Sequence, residues 1–308
     1  MLIKDPPVEI TANLSIIASE EYPLYLVKGK REIAIFEGGT GAMGPLVAEQ
    51  LQQLGVDSEA VKQVIVPHAH PDHVMAIPAF RQIFPQAAVL ASAAAAGTLA
   101  AEKAIALFCK IDGAITEGLL KVGMIAERHR PRPLAENRIA VDRLIKEADT
   151  VVVDGISFDV LETPGHSDCS LSFHEPAGRV LIVSDAVPYY MPEHDCWWPC
   201  YFTGHQAYLD SMRRLAALDA EILCLGHKGA IKGAAEIKSY FDEVIAATQQ
   251  YHQRIVEGVK AGTPPRQIAE QLGSEICDKT QFLPLDFFQK NCWLLVKQSL
   301  KHEGISLT

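Results

Sequence analysis

Short blocks of apolar residues alternate with turn residues along the first third of the chain. "NLSII" (13–17), "YLVKG" (25–29) and "EIAIFEGG" (32–39) are bounded by such turns, which predicts three strands. "GPLVAEQLQQLG" (44–55) switches to helical spacing and stops at a glycine, so a helix is expected there. A strand over 63–66, a polar loop and a helix to about Phe84 follow. The repeated strand–loop–helix order predicts an α/β fold.

The pattern then changes twice. "AAVLASAAAAGTLAA" (87–101) reads as a strand entering a helix, and it is too short and too weakly apolar to span a bilayer. Residues 92–140 read as mainly helical, an insertion between sheet segments that either shapes a pocket or only packs. Two hairpins are expected next, 150–167 turning at Asp154-Gly155 and 170–186 turning at Glu175 to Gly178, then a strand in "EILCLGHKG" (221–229).

After Gly233 helical spacing takes over. Ile237, Phe241, Val244, Ile245, Tyr251, Ile255 and Val259 mark one long helix, which "GTPP" (262–265) interrupts. Thr263 is expected to cap a short helix running from Pro264 to about Leu272. A last helix carries Phe288, Cys292, Leu295 and Val296 on one stripe. The expected division is a catalytic domain over 1–232, with the insertion at about 92–140, and a helical extension over 233–308 packing on it. That extension holds more large apolar residues, Phe282, Phe287, Phe288 and Trp293 among them, than one stripe can use. Phe287 and Phe288 are therefore candidates to roof a pocket.

Composition narrows the class. A chain of 308 residues with 48% hydrophobic and 21% charged residues has a sizeable core in one large or two smaller domains. A net charge of −10 makes nucleic acid an unfavourable partner. The seven cysteines are odd in number and irregularly spaced, and "MLIKDPPVEITANLSII" lacks the apolar run of a secretory leader. Both point to a cytoplasmic protein, with no membrane as partner.

The chemistry sits at strand ends. "VIVPHAHPDHVMAIPAF" (64–80) places His68, His70, Asp72 and His73 directly after an apolar strand. His166 follows "DVLETPG", Asp185 follows "VLIVS" and His227 follows "ILCLG". In α/β sheets such ends converge on one edge, where ligands bind. Five imidazoles and two carboxylates suffice for two divalent metal ions; N and O donors without cysteine suit Zn or Fe, and Mn also fits. His68 and His70 point the same way from extended backbone. Asp72 and His73 follow a proline turn toward a second ion, and Asp185 is the natural bridge. So many titratable groups at the mouth of a core are costly unless something pairs with them.

The set His68-x-His70-x-Asp72-His73, His166, Asp185, His227 resembles the metallo-β-lactamase superfamily over residues 12–230. The resemblance implies an αββα sandwich. It places His68, His70 and His166 on a first metal, Asp72, His73 and His227 on a second, and Asp185 between them. It implies a hydrolase using a metal-bound hydroxide on an ester, thioester or lactone carbonyl of a small-molecule substrate. Asp72 would orient water or relay its proton. Histidine at position 70, where the superfamily's diiron flavoproteins carry glutamate, makes a flavin-linked reductase a poor fit. The insertion and tail are most similar to the quinolone-signal response thioesterase subgroup. Other members leave two further activities open, an iron-dependent thiol or persulfide oxygenase and a phosphodiesterase or ribonuclease. A regulatory effector acting through a protein partner is the alternative outside enzymology, and a homodimer is compatible with the sequence.

"YYMPEHDCWWPC" (189–200), just after Asp185, is either a substrate wall or a loop packed on the tail; Tyr189, Tyr190 and Trp197 are its candidate substrate-binding residues. Cys196 and Cys200 read as unpaired thiols. His194 and His205 read as surface histidines, and His129 in "ERHRPRP" as part of a solvated basic loop.

Overall fold

A computed structural model describes residues 1–280 and 283–307. Phe282 lies outside the described residues.

The short apolar runs build two seven-stranded sheets. β1 (Leu2–Ile3) crosses to the second sheet. The first contains β2 (Val8–Thr11), β3 (Leu14–Ala18), β4 (Pro23–Lys28), β5 (Ile33–Phe36), β6 (Val61–Ile65), β7 (Ala88–Ala91) and β8 (Arg143–Leu144), in sequence order. β2 to β5 form an antiparallel meander; β5 to β8 run parallel. Parallel strands need crossovers, and these are α1 (Met43–Gln53), α2 (Ile77–Ile83), α3 (Ala93–Leu99) and α4 (Glu102–Lys121).

The second sheet contains β9 (Thr150–Val153), β10 (Ile156–Glu162), β11 (Leu171–Glu175) and β12 (Val180–Ser184). β13 (Tyr189–Met191) and β14 (Cys196–Trp198) pair only with each other; β15 (Ile222–Leu225) and β16 (Ala230–Lys232) complete the sheet. Its order is β1-β16-β15-β12-β11-β10-β9. α5 (His205–Ala216) leads into β15, and α6 (Ala234–Lys260), α7 (Pro265–Thr280) and α8 (Leu285–His302) follow β16.

Strand parity divides the core. Tyr25, Val27, Ala34 and Phe36 of the first sheet face Phe158, Phe173, Ile182 and Cys224 of the second. Leu24, Leu26, Ile33 and Ile35, and opposite them Leu181, Val183, Leu223 and Leu225, point outward into the cluster that the helices share. Both faces of these strands are covered, which is why they read as unbroken apolar runs. Helix, sheet, sheet and helix make four layers, the expected αββα sandwich.

Several local expectations need correction. In the insertion, helix ends at Lys121; 122–142 holds only a 3-10 turn at Glu127–His129. The break comes where Gly123 takes a left-handed φ of 75°. α7 starts at Pro265 and runs to Thr280, past the expected stop near Leu272; it gains that length by pairing with α8. α5, not among the expected helices, buries Tyr208, Leu209, Met212 and Leu215 on one face and leaves Gln206 and Asp210 exposed on the other.

The run "ERHRPRP" is no free basic loop. Arg128 and His129 contact Glu49 of α1 at 2.8 and 3.0 Å, and Arg130 pairs with Glu117 and Glu127. Arg128 and His129 fasten the insertion to α1, and Arg130 pairs within the insertion.

α4 is tied to the glycine turn after β5 by one buried carboxylate. Asp112 Oδ1 accepts from the Gly41 amide at 2.7 Å. Burial raises its pKa from 3.8 to about 6, although that hydrogen bond pulls the other way. A carboxyl whose pKa is higher when folded destabilises the native state as pH rises from about 4 to 6. Asp112→Asn keeps the acceptor without the charge. It is expected to be more stable than the parent by about 1–3 kcal/mol above pH 6 and equal to it below about pH 4, read from denaturant midpoints.

Candidate metal centre

Each candidate ligand leaves the end of a strand on one edge of the sandwich. His68 and His70 follow β6, Asp72 and His73 sit on the 3-10 turn Pro71–His73, and His166 follows β10. Asp185 follows β12 and His227 follows β15. Three groups have ligand atoms within 4.8 Å of one another: His68, His70 and His166; Asp72, His73 and His227; and His68, His73 and Asp185. Asp185 stands between the first two. Its Oδ2 lies 3.3 Å from His166, 3.4 Å from His73 and 3.8 Å from His68, and its Oδ1 lies 3.4 Å from His227.

The far sides of the rings explain how they are aimed. His166 Nδ1 donates to the Cys200 carbonyl at 2.9 Å, and His227 Nδ1 to the Glu21 carbonyl at 2.8 Å. His73 Nδ1 meets Glu37 Oε2 at 2.7 Å, and His68 Nδ1 lies 3.4 Å from Ser184 Oγ. A carbonyl can only accept, so Nδ1 of His166 and His227 carries the proton and Nε2 keeps its lone pair for the centre. His70 presents Nδ1 instead, 2.7 Å from His166 Nε2.

The backbone is strained at three of these joints. Glu37, Ser184 and Lys228 take left-handed φ values of 82°, 49° and 66°. Such conformations cost about 1–3 kcal/mol each and persist where the surroundings enforce them. Gly226 leaves room for the bridge, since a Cβ there would overlap Asp185 Oδ1.

The residues fit divalent metal ions. Nε2 of His68 and of His73 is buried without a hydrogen-bond partner, and a buried lone pair of this kind calls for a ligand. Burial and the neighbouring His166 push the His70 imidazole down to about 3, so it is neutral and free to ligate. Burial would raise Asp72, but His73 and His227 outweigh it and hold the carboxylate ionised. Burial would depress His227, yet Asp185 outweighs it and raises the imidazole to about 9. The second position thus collects positive charge, from protons or from a cation.

Above the ligands lies a cavity of about 400 Å³, within the usual range for small-ligand sites. His70, Asp72, His166, Asp185 and His227 form its floor. Leu107, Phe108, Ile111 and Ile115 of α4 form one wall, and Leu283, Phe287, Phe288 and Leu294 close it from the tail. The insertion and the helical tail both meet the metal edge.

The 189–200 segment is a hairpin, and its register corrects two assignments. Tyr189 pairs with Trp198 and Tyr190 with Trp197, so each pair shares a face. Tyr189 and Trp198 line the cavity. Tyr190 and Trp197 stack on each other at 5.5 Å on the opposite face, with Tyr190 against Tyr240, and do not line it. His194 is exposed, as expected; His205, expected at the surface, is only 5% exposed.

Two further residues of the site, Glu21 and Glu37, are absent from the set the sequence points to. Both are 1% exposed. Glu21 accepts from Tyr189 Oη at 2.6 Å and pairs with Lys228 at 2.7 Å, bracketing His227. For Glu37 a signal exists: a carboxylate closing the apolar run "IAIF" just before the glycine turn.

Residues 23–227, more than half of the chain, match the sequence model of the metallo-beta-lactamase superfamily. The chain belongs to the metallo-beta-lactamase superfamily. Members of this superfamily are mostly metal-dependent hydrolases and usually bind divalent metal ions, often zinc. Among solved structures, a metallo-beta-lactamase family protein from Thermus thermophilus is 21% identical with a TM-score of 0.65, over 96% of this chain and 95% of that one. The subclass B3 metallo-beta-lactamase of Bradyrhizobium japonicum is 16% identical with a TM-score of 0.56, over 84% and 97%. The metallo-beta-lactamase MIM-1 of Novosphingobium pentaromativorans is 19% identical with a TM-score of 0.57, over 84% and 93%. At these identities the likeness concerns the fold. No helix among the described residues is long and apolar enough to cross a membrane.

Proposed function

We propose that this superfamily member is a binuclear hydrolase of carbonyl compounds, taking an ester, thioester or lactone with an apolar acyl part. The observation that carries the reading is the composition of the cavity: a floor of imidazoles and carboxylates under walls of leucine, isoleucine and phenylalanine. None of the described residues lining it is a lysine or arginine, so a phosphodiester would find no ammonium or guanidinium group there to pair with its charge.

His68, His70 and His166 would hold one ion, Asp72, His73 and His227 the other, and Asp185 both. Zn or Fe suits the donors. When bound, the ions supply Lewis acidity that activates water at neutral pH and polarises a carbonyl oxygen. The protein's part is placement. Asp72, held ionised at the cavity floor, would turn Oδ2 toward the ion shared with His73 and His227 and leave its other oxygen as acceptor for a water proton. Glu37, Cys200 and Glu21 lock the rings so that the donor atoms converge. Tyr189, Trp198 and α4 exclude bulk water and grip the acyl chain, which favours an acyl thioester over a small polar ester.

The test is elemental analysis of the purified protein combined with a panel of esters, thioesters, lactones and phosphodiesters. Turnover of an apolar acyl substrate supports the reading. Phosphodiester cleavage alone, or oxygen uptake with a persulfide, overturns it.

The roof gives a sharper expectation. Phe288 is 2% exposed and packs on Trp198 at 5.6 Å, whereas Phe287 is only half-buried. Phe288→Ala is expected to lose about 3–5 kcal/mol of stability. Phe287→Ala should keep its Tm while the kcat/KM ratio of long to short acyl thioesters shifts several-fold. An unchanged ratio in both variants would reduce the tail to scaffold.

A further inference from the structure

A second cluster of histidines lies away from the cavity, where three helices meet. His205 opens α5, His252 lies in α6 and His302 closes α8. Their ligand atoms fall within 4.8 Å of one another. The His205 and His252 rings stack at 4.0 Å, and the His302 ring stands edge-on to them at 5.1 and 5.3 Å. Glu303 Oε1 lies 3.3 Å from His252 Nε2.

Packing alone does not account for this arrangement. His205 is 5% exposed, and neither of its ring nitrogens has a hydrogen-bond partner; buried Nδ1 of His252 has none either. An unsatisfied buried polar atom costs about 1–3 kcal/mol, and an apolar side chain at position 205 would have filled the same space without that cost. What such a set lacks is a cation that accepts lone pairs.

We propose that His205, His252 and His302, with a water as fourth ligand and Glu303 holding His252 through Nε2, form a structural site for a divalent transition metal that fastens the end of α8 to α5 and α6. Three imidazoles and one oxygen suit Zn, and also Co or Ni, and not the oxygen-seeking Mg or Ca. A nitrogen–metal bond of about 2.1 Å needs the donors closer together than 4.8 Å. His302 is exposed and can turn inward, and one of the stacked His205 and His252 rings must also rotate, because a bound ion lies in the plane of each imidazole that holds it. The opposite end of α8 carries Phe287 and Phe288 over the cavity, so a clip at residue 302 holds the helix that forms the roof. The site is independent of the proposed reaction, since no cavity residue belongs to it.

The experiment uses full-length protein without a polyhistidine tag, loaded with Zn and dialysed against micromolar free Zn. Elemental analysis should give one equivalent fewer in His302→Ala than in the parent, with hydrolysis per active centre unchanged. His252→Gln, a replacement close in size, should lose the same equivalent. Co loading of the parent should give a visible absorption band that weakens in both variants. The parent's Tm should rise with added Zn by several degrees more than that of His302→Ala. Equal metal content in the parent and both folded variants would overturn the proposal, as would equal Tm responses to Zn.

Discussion

Asp185→Ala is expected to empty the metal edge and to lower turnover of the best substrate by ~10³-fold or more, a loss of about 4 kcal/mol in transition-state stabilisation. The reason is geometric. Asp185 is the only residue of the set whose two oxygens reach both ligand groups, His68, His73 and His166 through Oδ2 and His227 through Oδ1. Removing one imidazole leaves the other group intact; removing this carboxylate takes a charge and a ligand from both. Elemental analysis of the variant should find both ions at that edge lost or loosened, whereas His166→Ala should lose one. Full metal content in Asp185→Ala would remove its bridging role.

Asp72→Asn separates holding a metal from handling a proton. The amide keeps the size and a carbonyl oxygen but loses the charge that His73 and His227 face at 3.5 and 3.7 Å. Some metal should remain. Turnover should fall ~10²–10⁴-fold, the scale of lost general acid–base catalysis. The fall should appear in kcat more than in KM, because the apolar walls that bind the acyl part are untouched. Near-parental kcat on a substrate whose chemistry limits the rate would take Asp72 out of the proton path.

The two variants, with the tail and histidine-cluster tests, probe different layers of the same chain, and these layers are not equally legible in the sequence. The metal motif is readable because it is local. Asp72 and His73 fall on one turn after one apolar strand, and His166, Asp185 and His227 each sit directly after another. Strand polarity alone sends such ends to one edge. The two-sheet core is readable for a related reason: strands covered on both faces must be apolar throughout, and that pattern survives without neighbours.

Other features depend on partners distant in sequence. Nothing in "YYMPEHDCWWPC" says which aromatics face the cavity; the pairing of Tyr189 with Trp198 decides it, and hairpin parity turns Tyr190 and Trp197 away. α7 runs past Leu272 because α8 lies against it, a contact its own residues do not announce. His205 looks like any helical surface histidine until α6 and α8 bring His252 and His302 against it. Local spacing along the chain determined which side chains carry the metal chemistry. The surplus of large apolar residues in the tail already marked Phe287 and Phe288 as roof candidates, but only tertiary structure decided which residues orient the ligands and assemble a second histidine cluster, because hydrogen bonds and packing join residues that chain order keeps apart.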